Sequence, residues 1–274
     1  MNIVPFAIDD IVHFLKLAAA ENWVAESWEL EFLLSNFSNG CFAARGDKGE
    51  TAGFVTSLRH ERSGWIGNLI VPPEYRGKGI GERLFSKALD ALRSADVEAY
   101  WLTASQSGRK LYEKYGFRSM DTIFRWVGNG QEQHAADDQQ SNNNSSILSM
   151  VDTDSAAWGD RRDSLLEATA GRGRVLLDKT GFLVIQPGIN AKQFGPFSAL
   201  DAHSAEQLLE NAVRALESGT TFLLDSPAAN GSAVRLFTRR GMRIAGTNEL
   251  MYAGRKPRYQ PEYIYGLATM GSCG

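Results

Sequence analysis

The stretch Val71–Phe85, VPPEYRGKGIGERLF, concentrates groups that can hold an anion. Gly77, Gly79 and Gly81 alternate behind Arg76 and around Lys78. They lie where an apolar run gives way to Ile80, Leu84, Ala88, Leu89 and Leu92, spaced along one face of a helix. Successive backbone N–H groups at a strand-to-helix junction form an anion nest, and the helix dipole adds partial positive charge there. Glycine supplies the dihedrals such a turn needs and lets a ligand approach the backbone. Arg76 and Lys78 add charge-assisted contacts of the kind phosphate accepts. The spacing excludes two common phosphate loops. A P-loop, G-x-x-x-x-G-K-[ST], is absent, and a dinucleotide fingerprint starting at Gly77 would need glycine where the chain has Glu82.

The elements that must position this loop can be read from periodicity and turn residues. Asp9–Ala20 and Trp28–Phe37 carry helical apolar spacing. Gly40–Arg45, Thr51–Leu58 and Trp65–Val71 read as strands, separated by Asp47-Lys48-Gly49 and Arg62-Ser63-Gly64 turns. After the helix Gly81–Leu92 come a strand Ala99–Leu102, a short helix Gln106–Tyr115 and a long strand Phe117–Val127.

Gly128–Ser146 is almost devoid of apolar residues and reads as a polar linker, because it cannot offset its own ordering entropy. Beyond it the order repeats. LYEKYGFRSM, from Leu111, is echoed by LFTRRGMRIA, from Leu236, so that Gly116 falls on Gly241. An amphipathic helix at Ala205–Leu216 stands where Gly81–Leu92 stood. An internal duplication divides the chain into 1–128, a linker 129–147 and 148–274.

Composition narrows the function classes. The 274 residues are 43% hydrophobic and 22% charged, as in globular proteins that bury a core. A net charge of −3 argues against non-specific nucleic-acid binding. No run approaches ~18 apolar residues, so no membrane partner is expected. The N-terminus lacks the pattern of a signal peptide, and the expected location is the cytoplasm. Cys41 and Cys273 form no disulfide framework, and His13, His60, His134 and His203 show no metal-ligand spacing; no metal is expected. His60 reads as a surface histidine.

V-x-P-x-x-R-G-x-G-[IL]-[GA] resembles the acetyl-CoA motif of the GNAT superfamily of N-acetyltransferases. Val71, Pro73, Arg76, Gly77, Gly79, Ile80 and Gly81 fall on it, and LYEKYGF, Leu111–Phe117, resembles the superfamily's second hallmark at its usual distance. The resemblance covers about residues 1–128, and the second half is similar to a diverged copy. It implies an α+β, three-layer α/β/α architecture of two tandem GNAT-like folds, each a mixed, mostly antiparallel sheet flanked by helices. It also implies acetyl-CoA as co-substrate and direct transfer of the acetyl group to an amine. By that resemblance the backbone of Leu69, Ile70 and Val71 contacts the cofactor, and the loop Arg76, Gly77, Lys78, Gly79, Ile80 and Gly81 cradles its pyrophosphate. Tyr112 then meets the departing thiolate.

The base that deprotonates the amine is not evident. The superfamily often carries a carboxylate on its fourth or fifth strand, yet Trp65–Val71 has none, and Thr103 stands where related tandem proteins often carry aspartate. Glu61 and Glu98 are substitutes, each read more readily as a surface charge. The superfamily's first two helices line the acceptor site. Here Leu17–Ala44 contains no lysine or arginine but has Glu21, Glu26, Glu29 and Glu31 beside Trp23 and Trp28. Glu21, Trp23, Glu26 and Trp28 are therefore the candidate contacts for a cationic amine, through charge pairing and cation–π attraction. The expected acceptor is a small-molecule amine such as an amino acid or polyamine. An acyl-CoA sensor without catalysis, and a protein N-terminal or lysine acetyltransferase, are the alternatives. The second copy has no glycine loop (FSALDAHSAEQL replaces it) and has Phe237 for Tyr112, so it is expected not to bind the cofactor. It does place Asp225 where a base could sit.

Overall fold

The computed structural model describes residues 1–130 and 143–274. The first half runs β1 (Asn2–Pro5), α1 (Ile11–Ala20), α2 (Ser27–Phe37), β2 (Phe42–Arg45), β3 (Thr51–Arg59), β4 (Ser63–Ile70), α3 (Ile80–Ser94), β5 (Ala99–Ala104), α4 (Arg109–Lys114) and β6 (Arg118–Asn129). The second runs α5 (Asn143–Trp158), α6 (Asp163–Arg172), β7 (Arg174–Leu177), β8 (Gly181–Gln186), β9 (Lys192–Ala199), α7 (Ala202–Arg214), β10 (Thr221–Pro227), α8 (Gly231–Arg239), β11 (Arg243–Gly254) and β12 (Ile264–Gly266). Every helix and strand expected in the first half is present. The additional β1 is four residues long, too short for an alternation signal, and is held by pairing Asn2–Pro5 with Phe42–Arg45. Of the expected linker, 131–142 lies outside the described residues, and its last part is already helical, since α5 begins at Asn143.

The halves share one sheet of twelve strands, ordered β1-β2-β3-β4-β5-β11-β6-β10-β9-β8-β7, with β12 paired to β9. Their last strands are exchanged: β11 pairs with β5, and β6 sits between β11 and β10. The exchange removes the free edge that each copy would otherwise present. Helices cover both faces. In the first half Leu84, Phe85, Ala88 and Leu92 of α3 pack on one face, while Phe14 of α1 and Leu30 and Leu33 of α2 pack on the other. In the second half α7 and α8 take one face, and Met150 and Val151 of α5 with Leu166 of α6 take the other. Where the halves meet, Trp65, Trp101 and Trp158 stack edge-on, with Trp158 5.8 Å from Trp101 and 6.1 Å from Trp65. Such pairs add to the burial of their large apolar area.

The pairing that positions the site is the one that stops early. β4 and β5 run parallel and pair only from Ser63–Ala99 to Trp65–Trp101; beyond that they diverge. β4 also carries a bulge, because Phe54 and Thr56 of β3 face Ile70 and Gly67, leaving one extra residue on β4. Asn68 absorbs it in the left-handed region, at φ 56°, and its Nδ2 donates to Thr56 Oγ1 at 3.1 Å. Asparagine tolerates that conformation better than a branched residue would.

Candidate functional site

The splay between β4 and β5 opens into a cavity of about 260 Å³. Its walls come from the α1–α2 connection and the start of α2 (Trp23, Glu26, Trp28, Glu29), from the β4 bulge (Gly67, Asn68, Leu69), and from Thr103 and Tyr112. The second half adds Arg172, the β8–β9 connection from Gln186 to Gln193, and a C-terminal segment, Ala268–Ser272. That segment is held deep in the splay. Thr103 Oγ1 donates to the Met270 carbonyl, Gln186 Nε2 donates to the Ala268 carbonyl at 2.9 Å, and Ser272 Oγ donates to Glu29. Gly67 permits this approach, since a Cβ there would come within 2.3 Å of the Gly271 oxygen.

The glycine loop borders the same strand. Gly77 and Gly79 both hold φ at +75°, and a Cβ on either would meet nothing within 4 Å, so the loop presents an open backbone face. Gly79 is the N-cap of α3 and offers no side chain to its first-turn N–H groups. These donors fit an anion such as the pyrophosphate of acetyl-CoA. Arg76 is held beside the loop: its Nε donates to the Val71 carbonyl at 2.8 Å, and its guanidinium pairs with Glu21. Lys78 Nζ donates to the Glu74 carbonyl at 2.9 Å and lies 5.4 Å over the Tyr75 ring. Of the strand residues expected beside the cofactor, Leu69 lines the cavity. Ile70 instead pairs with Phe54 and buries its side chain among α1 and α2.

Tyr112 also lines the cavity, with its ring 5.0 Å from that of Phe85. Burial pushes its phenol up to about 12.

The four expected acceptor residues divide. Trp23 and Val24 line the cavity and are 42% and 65% exposed, which gives that side an apolar character. Glu26 lines the wall but is already occupied, pairing with Arg172 at 3.2 Å and accepting from the Ile189 N–H at 3.0 Å. The Trp28 ring is covered by the Arg172 guanidinium at 4.0 Å, so that face is taken by a cation of the chain itself. Glu21 faces the glycine loop through Arg76 rather than the cavity.

Glu61 and Glu98 stay outside the cavity, and Glu98 pairs with Arg255 at 2.8 Å on the surface. Asp225 is fully buried in a two-armed ion pair with Arg125, both arms at 2.8 Å. His60 is not a surface residue: it is 6% exposed and, chiefly through burial, pushed down to about 3, so it stays neutral. The hairpin that carries it is covered by the second half, whose Arg161 carbonyl accepts the Glu61 N–H. Among the described residues no cluster of His, Cys, Asp or Glu could hold a metal, and no helix is long and apolar enough to cross a membrane.

The residue that the sequence reading left unassigned is Glu29. It is 8% exposed on the cavity wall, and burial, only partly opposed by the Ser272 hydrogen bond, pushes its carboxyl up to about 7. The resemblance points to a base on β4 or β5, whereas Glu29 reaches the splay from α2. Its one sequence signal is an acidic residue amid Trp28, Leu30, Phe32 and Leu33, on a helix that has to be buried.

Comparison with known proteins agrees with this geometry. Residues 8–117 match the profile of the acetyltransferase (GNAT) family, and residues 150–266 match that of an acetyltransferase (GNAT) domain. The chain is 33% identical over 106 residues to N-alpha-acetyltransferase 30 of Xenopus laevis, covering 36% of this chain and 39% of that protein. It is 39% identical over 56 residues to the ribosomal protein bS18 alanine N-acetyltransferase of Haemophilus influenzae, covering 20% of this chain and 38% of the relative. The match thus spans well under half the length of either protein. Among solved structures, an acetyltransferase-like protein of Pyrococcus horikoshii superposes with a TM-score of 0.84 at 24% identity, covering 100% of this chain and 95% of the other. A tandem GNAT protein from the clavulanic acid biosynthesis pathway does so with a TM-score of 0.62 at 14% identity, covering 92% and 98%.

Proposed function

This chain belongs to the GNAT acetyltransferase family, and on that premise we propose that it transfers an acetyl group from acetyl-CoA to the primary amine of a small molecule. The observation that carries the reading is the cavity at the β4–β5 splay, walled on one side by the first half and on the other by Gln186–Gln193 and Ala268–Ser272. The β8–β9 connection is clasped to α2 through Glu26, which restricts the room for an extended peptide. The exposed apolar side chains of Trp23 and Val24 on the cavity wall suit an amine carried on an apolar body.

Acetyl-CoA supplies an activated acetyl group. The open donors of Gly77–Gly81 hold its pyrophosphate, and the bulge backbone at Asn68 and Leu69, free of the β3 ladder, offers an N–H to the thioester carbonyl. Tyr112 contributes a hydrogen bond to the leaving sulfur rather than full proton transfer. A phenol near 12 giving its proton to a thiol near 8.5 works uphill by roughly 5 kcal/mol.

A second reading, acetylation of protein N-terminal amines, is favoured by the relatives described above, one an N-alpha-acetyltransferase and the other an alanine N-acetyltransferase of a ribosomal protein by name. The test is CoA-thiol release over a panel of alkylamines, arylalkylamines, polyamines, amino acids and peptides with free N-termini. Small amines are expected to give the highest kcat/KM, and Tyr112→Phe to lower kcat about tenfold, the worth of one hydrogen bond of about 1.4 kcal/mol. Peptides outrunning every small amine would move the assignment to the second reading. Acetyl-CoA binding with no release to any acceptor would point to the sensor.

A further inference from the structure

The charges on the cavity wall do not balance. Glu26 is matched by Arg172, and Arg125 is matched by Asp225. Glu29 makes no ion pair among the described residues. The groups that face it are Glu26 at the N-cap of its own helix, Arg172 on α6, Arg125 on β6, and Ser272 and Cys273 on the C-terminal segment. Both arginines act on it only at a distance, being engaged with other carboxylates. Its one direct side-chain partner is the Ser272 hydroxyl, which also lies 3.4 Å from Asn68 Oδ1 at the bulge. A buried carboxylate without a cation is unfavourable, and the site relaxes when a cation enters.

Resting on the acetyltransferase reading, we propose that Glu29 receives the ammonium group of the acceptor and takes a proton from it, with Ser272 holding the carboxylate in place. An N–H bond of the ammonium breaks, its electron pair stays on nitrogen, and the proton passes to a Glu29 oxygen. The free amine then forms the C–N bond to the acetyl carbon as the C–S bond breaks and its electron pair leaves on sulfur; the second N–H proton passes from the acylated nitrogen to that thiolate, which departs as the CoA thiol. The place is apt, since Glu29 stands beside the Asn68 bulge, where the thioester carbonyl is held. Burial that raises the carboxyl to about 7 also lowers the affinity of an ammonium for its proton, which brings donor and acceptor together near neutral pH. The assignment gives the second half a role in the chemistry, because Ser272 belongs to it and its segment is anchored through Thr103 and Gln186.

The test uses the full chain, the best acceptor of the panel, and kcat/KM measured against pH. Glu29→Gln should lose at least 100-fold in kcat while acetyl-CoA affinity and cooperative unfolding are retained, and Glu29→Asp should recover part of the loss. Wild type should show an acid limb near pH 7. Ser272→Ala should move that limb to higher pH, because the hydrogen bond it removes favours the ionised carboxylate. Glu29→Gln with wild-type kcat, or an acid limb unmoved in Ser272→Ala, overturns the proposal while leaving the acetyltransferase reading intact. No thiol release by wild type with any acceptor overturns both. If Glu29→Gln fails to fold, the Ser272→Ala profile decides.

Discussion

The two halves build the same splayed pair of strands and fill it differently. In the first, β4 and β5 part after Trp65–Trp101 and leave a cavity. In the second, β9 and β10 pair only at Lys192–Phe222 and Gln193–Leu223, and the gap beyond is filled by β12. Ile264 and Gly266 of β12 pair with Ser198 and Phe197, while the following Leu267 N–H donates to the Asp225 carbonyl of β10 at 2.8 Å. The helix starts diverge in the same sense. Gly79 leaves the first turn of α3 uncapped, whereas Asp201 caps α7 with its own carboxylate, accepting from the Ser204 N–H at 2.8 Å. Tyr112 borders the cavity, while Phe237 is buried and packs 5.5 Å from Trp126. Near the start of α2 the chain buries Glu29, and near the start of α6 it buries Leu165 and Leu166. A fold thus provides a cleft and a helix terminus; whether they serve a ligand depends on whether the chain itself has already occupied them.

Three perturbations press on that contrast. The largest effect is expected from Gly79→Asp, which puts a carboxylate at the start of α3, where α7 has Asp201, and forces a side chain into φ +75°. Acetyl-CoA affinity by calorimetry should fall more than about 100-fold, through carboxylate–phosphate repulsion added to about 1–2 kcal/mol of backbone strain. Retained affinity would mean that the cofactor does not use this loop.

Next comes the pH dependence of stability contributed by Glu29. Its folded pKa of about 7 lies above the ordinary carboxyl value of 4.5, so between those limits the native state binds more protons than the unfolded chain. Stability is therefore highest below about 4.5 and lost as pH rises through about 7, by an amount on the order of 3 kcal/mol. Urea unfolding over this range should show the decline in wild type and a flatter profile in Glu29→Gln; parallel profiles would show that Glu29 is not the group responsible.

The smallest effect is that of Asp201→Ala. Removing the cap should cost about 1 kcal/mol in unfolding experiments and should not create acetyl-CoA binding, because β12 still fills the cleft. Binding gained at a second site would break the comparison.

Much of this was legible in the sequence because it is local. The alternation of Gly77, Gly79 and Gly81 behind a strand and before the α3 face dictates an open anion nest whatever surrounds it. The turn glycines Gly116 and Gly241, both with positive φ, mark the repeated helix-to-strand corner in each copy. The absence of glycine from Phe197–Leu208 was likewise visible in the sequence, and there α7 starts from the Asp201 cap rather than from an open glycine turn. What only the tertiary structure decided is non-local. The exchange of β6 and β11 joins residues more than a hundred positions apart, and no periodicity distinguishes a strand that pairs within its own copy from one that pairs across. The roles of Glu21, Glu26 and Trp28 changed because their partners, Arg76 and Arg172, come from elsewhere in the chain. Glu29 emerged for the same reason. A carboxylate's chemistry is set by what removes its water and which cations reach it, and both are supplied by β4, α6 and the C-terminal segment folding around it.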